Sequence, residues 1–121
     1  MTRLIALLCL LVVVLDAVES VIARSFGVPY AWFMLLQIVV YVAIGFVLRR
    51  AGLGVRDVVV AGVVTALVDG TLGEWVAVSL GGAPVTPLAV QAVVVPIAIV
   101  IETLLALGGF ALGSIGRAAR S

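Results

Sequence analysis

The chain reads as an all-α, polytopic membrane protein with four transmembrane helices arranged as two antiparallel hairpins. Three observations predict this. First, of 121 residues 65% are hydrophobic and only 11% are charged, against about 45–50% and about 25% in a soluble domain. A core of this size cannot bury so many apolar side chains away from water. Second, four apolar stretches, roughly 4–23, 30–48, 57–80 and 88–112, reach the length of about 20 residues that a helix needs to cross the hydrocarbon. Third, six of the seven arginines fall on one side of the membrane if those stretches alternate in direction, the pattern of a cell-membrane protein.

The breaks between stretches come from residues that stop helices. Gly27 and Pro29 end the first pair, and Arg49, Arg50, Gly52 and Gly54 mark the middle. Gly81, Gly82, Pro84 and Pro87 end the last. Glycine and proline are the least favourable residues in a helix interior. All three connections are short, so consecutive helices are expected to be antiparallel neighbours. No room is left for a soluble domain, and residues 1–121 read as a single transmembrane domain.

Orientation follows from charge. If the N-terminus lies inside, Arg3, Arg49, Arg50, Arg56, Arg117 and Arg120 face the cytoplasm and only Arg24 faces outward. Arginine-rich loops stay on the cytoplasmic side. Tyr30, Trp32 and Trp75 then gather at the outer interface, where amphipathic rings prefer to sit. Both termini are therefore expected in the cytoplasm. Arg3, the apolar run from Leu4 to Leu15 and the "SVIA" ending at Ala23 also have the layout of a secretory signal peptide. An N-terminal hairpin completes the charge pattern better.

The two halves share a faint likeness. Ser25, Gly27, Gln37, Val39 and Val40 align with Ser79, Gly81, Gln91, Val93 and Val94 at a constant offset of 54 (79 − 25). A parallel repeat of two hairpins would give this spacing. In so valine-rich a chain the valine matches carry little weight.

Composition also excludes chemistries. There is no histidine and no lysine. Imidazole-based haem, zinc and triad chemistry is absent, as is a Schiff-base cofactor. Cys9 is alone and pairs with nothing in the chain. The net charge of +1 has no basic tract suited to nucleic acid. No nucleophile–base constellation is visible, so an enzyme is not expected, and no cofactor is implied. Whether a metal is bound is unknown from the sequence.

The informative residues are acidic. Five of six fall inside the apolar stretches: Asp16, Glu19, Asp69, Glu74 and Glu102. Asp57 sits at a helix start, where a negative charge is ordinary. At 1.5 Å rise per residue, Glu19 lies about 6 Å from the outer helix end, Glu74 about 9 Å, Asp16 about 10 Å, Asp69 about 16 Å and Glu102 about 21 Å. A charge near the centre costs about 2.5–3.5 kcal/mol on insertion scales. No arginine lies at comparable depth. Each group must then be protonated, bind a cation, line water or meet a partner chain. Glu19 and Glu74 lie near enough to the headgroups to reach water.

Small and polar residues cluster around these carboxylates. Ala61, Thr65, Asp69, Gly73 and Ala77 form one i, i+4 line on the third helix; Gly62, Ala66 and Gly70 form the adjacent line. Small residues at this period let helix backbones approach closely, so Gly62, Ala66, Gly70 and Gly73 are expected at helix contacts. Gly109, Gly113 and Gly116 mark a further contact near the end of the fourth helix. Thr65, Gln37, Tyr41 and Gln91 are the polar residues placed to support the acids. As protonated structural donors, Asp69 and Glu102 would find partners in Thr65 (one turn before Asp69), Gln37, Tyr41 or a backbone carbonyl.

Two functions follow. In the first, the chain is a proton or cation channel or transporter subunit. Asp69 and Glu102 are its intramembrane sites, and Asp16, Glu19 and Glu74 its outer vestibule. In the second, it is a non-catalytic structural or accessory subunit of a larger membrane complex, with carboxylates paired to partner chains. The lipid bilayer is a partner in both, and a homo-oligomer or partner membrane subunits are expected. Transport requires the carboxylates to share a cavity. The accessory role requires some of them on an outward lateral face.

Overall fold

A computed structural model describes residues 2–118, with side chains through residue 115. Gly116, Arg117 and Arg120, which entered the packing and charge expectations, lie outside the residues whose side chains are described. The described chain is all-helical, in the order α1 (Thr2–Phe26), a 3-10 turn (Tyr30–Phe33), α2 (Met34–Arg50), α3 (Val55–Val68), a π turn (Asp69–Gly73), α4 (Glu74–Ser79) and α5 (Leu88–Ala118). Three segments, Thr2–Phe26, Tyr30–Arg50 and Leu88–Ile115, are long and apolar enough to cross a membrane. These are the features of a small membrane protein.

The third stretch departs from the expectation of one unbroken α-helix over 57–80. Its backbone stays helical from Val55 to Ser79 but widens into a π turn at Asp69–Gly73. The local sequence explains why this turn gives way. Gly70 and Gly73 hold the α conformation weakly. The Thr71 hydroxyl donates to the Leu67 carbonyl at 2.6 Å, competing with the backbone for that acceptor. π turns of this kind occur often at functional sites. Here Asp69 and Gly73, at the two ends of the turn, are both buried.

Helix ends follow backbone demands. Gly27 and Gly81 have φ of 68° and 82°, in the left-handed region, one and two residues after Phe26 and Ser79. Glycine enters that region without a Cβ penalty and ends the helix there. The same requirement accounts for glycine at both aligned positions.

Glycines set the helix contacts. A Cβ at Gly45 would overlap the Ala106 carbonyl, and one at Gly109 would overlap the Val42 carbonyl and lie 3.0 Å from the Phe46 nitrogen. Gly113 follows against Arg49. Contacts therefore advance together along both helices, so α2 and α5 run in the same direction. Gly62 lies against Thr103 and Gly70 against Val95; there one helix advances as the other recedes, so the third segment and α5 are antiparallel. Gly73 meets Asp16 while Ser20 meets Ala77, so α1 and the third segment run in the same direction. Gly62, Ala66, Gly70 and Gly73 all lie at or beside helix contacts, and the third segment touches α1, α2 and α5.

The bundle has two unlike ends. At the end holding Arg49 and Arg50, a core of Ile44, Leu48, Val58, Ala61, Ala66 and Ala106 is closed by Leu4, Ile5, Leu8 and Phe110. The Arg49 guanidinium lies 5.1 Å from the Phe110 ring centre and the Arg50 guanidinium 5.1 Å from that of Phe46. Such contacts add about 0.5–1 kcal/mol at exposed sites. The other end, between Tyr30 and Pro84, is polar inside.

Candidate functional site

Each element brings one or two acids or their donors to the polar end. The second half of α1 carries Asp16, Glu19 and Ser20, and all three are buried. The 3-10 turn carries Tyr30, and the first half of α2 carries Gln37 and Tyr41. The π turn carries Asp69, α4 begins at Glu74, and α5 carries Gln91 and Glu102.

The centre is Asp16 with Asp69. Asp16 Oδ1 accepts hydrogen bonds from the Tyr30 hydroxyl and from Gln37 Nε2, each at 3.2 Å. Asp69 Oδ2 accepts one from the Tyr41 hydroxyl at 3.2 Å. The remaining oxygens converge on Gly73: its missing Cβ would overlap Asp16 Oδ2 and lie 3.2 Å from Asp69 Oδ1. The two carboxyl groups thus meet over a glycine. Any side chain on Gly73 would separate them. Tyr41, fully buried, donates to Asp69, and Glu102 lines the same space. Tyr30, Asp16, Asp69, Tyr41 and Glu102 thus form a polar line, joined by hydrogen bonds at Tyr30–Asp16 and at Tyr41–Asp69.

Around this line lies a cavity of about 430 Å³. All five acids expected to form the site line it: Asp16, Glu19, Asp69, Glu74 and Glu102. Gln37 and Tyr30 complete its polar wall, and Phe33, Met34 and Val94 its apolar wall. A second hollow of about 560 Å³ lies beyond Glu74 and Gly70, toward Trp75, Gln91 and Pro96. Gln91 Nε2 there donates to Glu74 Oε1 at 3.4 Å. Each of the two aligned glutamines, Gln37 and Gln91, thus donates to a carboxylate.

Two expectations are corrected. Glu19 does not reach water near the helix end: it is 2% exposed, and neither carboxylate oxygen has a hydrogen-bond partner. α1 continues three residues beyond the expected end at Ala23. The chain after α4 also folds over it, where the Gly82 amide donates to Ser20 Oγ at 2.8 Å and Ser20 Oγ donates to the Ala77 carbonyl at 2.6 Å. Nor does Thr65 support Asp69. Its hydroxyl is buried without a partner, and the donor to Asp69 is Tyr41 from a different helix.

Positive charge is remote from the centre. Among the described residues Arg24 is the one arginine at this end, and it donates to the Leu80 carbonyl at 3.3 Å. The hydrogen-bond partners of Asp16 and Asp69 among the described residues are two tyrosines and a glutamine. Buried carboxylate oxygens are also left open: Asp16 Oδ2, both oxygens of Glu19 and Glu102 Oε2. Buried polar atoms in folded proteins are nearly always satisfied, so four open acceptors on one cavity mark a place for a donor or a cation.

Comparison of the chain with protein-family models, with curated proteins and with solved structures returns no match.

Proposed function

We propose that this protein is a multi-pass cell-membrane protein that moves protons or cations, as a small transporter or as the cation-handling subunit of one. In this reading the chain crosses the bilayer four times, Val55–Ser79 supplying the remaining span, with both termini in the cytoplasm. The parallel pairs α1 with the third segment, and α2 with α5, suit two hairpins repeated about an axis along the membrane normal. The match is loose: α5 packs extensively on the third segment, whereas α1 meets the second stretch mainly through its 3-10 turn.

One observation carries the transport reading: five acidic side chains from three helical segments line a single cavity with no guanidinium among them. Intramembrane acids that face a cavity and lack a counter-charge are the usual marks of an ion or proton path. An accessory role would turn some of them toward a lateral face. Tyr30 and Pro84 line the cavity, and the apolar core around Ile44, Leu48 and Ala106 lies outside its lining. Such an arrangement suits alternating access, in which that core parts to release the cation, better than an open channel. α5 leaves Val93, Ile97, Val100, Ile101 and Leu104 exposed, a face for lipid, a second copy or a partner subunit.

The test is flux into liposomes. Purified protein is expected to carry protons or monovalent cations well above empty vesicles. Asp69→Asn keeps the size of the side chain and the acceptor for Tyr41 but removes the ionisable group, and should abolish that flux. Equal flux from wild type and Asp69→Asn would remove the transport reading.

A further inference from the structure

The cavity is larger than a proton or a bare metal ion requires. Its volume is about 430 Å³, whereas a water molecule occupies about 30 Å³ in the liquid. Its acids are also spread along the walls: among the described residues, no three acidic or cysteine side chains are grouped to hold one metal ion. Instead, charge and oil face each other across the space. Glu19 and Asp16, each 2% exposed, present three buried and unpartnered oxygens on one side. Tyr30, Phe33 and Met34 form another side, the two rings lying 6.0 Å apart at 54°. Tilted aromatic rings near a carboxylate favour an organic ammonium, whose charge the acid neutralises while the ring faces and thioether cover its body.

We propose that the cavity binds an organic ammonium ion with one compact apolar group. The ammonium sits between Glu19 and Asp16, and the apolar group lies against Phe33, Tyr30 and Met34. Three N–H donors of a primary ammonium match the three open oxygens. This proposal rests on the cation-handling reading above and names its cargo.

Equilibrium dialysis on the protein in lipid nanodiscs tests it, with phenethylammonium as the probe and 2-phenylethanol as its neutral counterpart of similar shape. Saturable binding of phenethylammonium, with 2-phenylethanol at least about tenfold weaker, is expected. Glu19→Gln should weaken phenethylammonium about tenfold and leave 2-phenylethanol unchanged. Phe33→Ala should weaken both. Equal binding of ammonium and alcohol would overturn the proposal, as would failure of phenethylammonium to saturate wild-type protein. The wild-type comparison does not depend on any variant folding. If ammonium binding fails while Asp69-dependent proton or monovalent-cation flux persists, the cargo is wrong and the transport reading stands. If the flux fails while ammonium binding holds, the cavity is a binding site without transport.

Discussion

Gly45→Ala and Gly109→Ala are expected to be the most destabilising methyl additions along the α2–α5 contact. At each position the new Cβ overlaps a backbone carbonyl on the facing helix, that of Ala106 or of Val42. A side chain could swing away, but a carbonyl held in a helix cannot. The two helices must separate, and the loss reaches Tyr41, Ile44 and Leu48, which α2 buries in the core. The expected cost is about 3 kcal/mol, the upper end of overpacking penalties. Gly108→Ala is the matched control, because nothing lies within 4 Å of its Cβ position. It should be neutral or stabilising by up to about 1 kcal/mol through helix propensity. Denaturant titration in mixed micelles reads all three. A Gly45 variant within about 0.5 kcal/mol of wild type would show that α2 and α5 do not meet there.

Gly73→Ala has a different signature. Its Cβ enters the space of Asp16 Oδ2 and approaches Asp69 Oδ1. Asp16 must turn away, breaking its hydrogen bonds from Tyr30 and Gln37. A loss of about 1–3 kcal/mol is expected, together with loss of cation flux. Because the obstacle is one side chain, it can be removed. The double variant Gly73→Ala, Asp16→Ala should recover much of the stability lost by Gly73→Ala alone, while flux stays absent. No recovery would mean that the methyl group strikes something other than Asp16.

What the sequence made legible was set by composition and by periodicity within one helix. The apolar stretches, the small-residue lines around Gly62 and Gly70, and the acids as a group all follow from local spacing. Contacts between helices do not. Thr65, Gln37 and Tyr41 are all eligible partners of Asp69 by residue type, and only the packing of helices selects Tyr41, 28 residues away. Tyr30 read as an interfacial ring because amphipathic aromatics collect there. Its second role, donating to Asp16, needs α1 and the 3-10 turn to be side by side. Glu19 read as near water because depth was counted along an isolated helix. The cover supplied by Gly82 over Ser20 comes from 62 residues away. The π turn was also hidden, although Gly70, Thr71 and Gly73 are the residues that weaken an α-helix at that point.

Asp16 and Asp69 meet over Gly73 as one site. A double-mutant cycle on unfolding stability with Asp16→Asn and Asp69→Asn tests it most directly. Either single change replaces two facing carboxyl groups by an amide and a carboxylate. The amide N–H₂ can then donate to the remaining acid, while its oxygen keeps the bonds from Tyr30 and Gln37, or from Tyr41. Each single variant should therefore be more stable than wild type. The double variant faces one amide with another, loses the charge-assisted bond, and should fall short of the sum of the singles by about 0.5–3 kcal/mol. Additivity within about 0.3–0.5 kcal/mol, the behaviour of independent positions, would mean that the two carboxyl groups do not share a site.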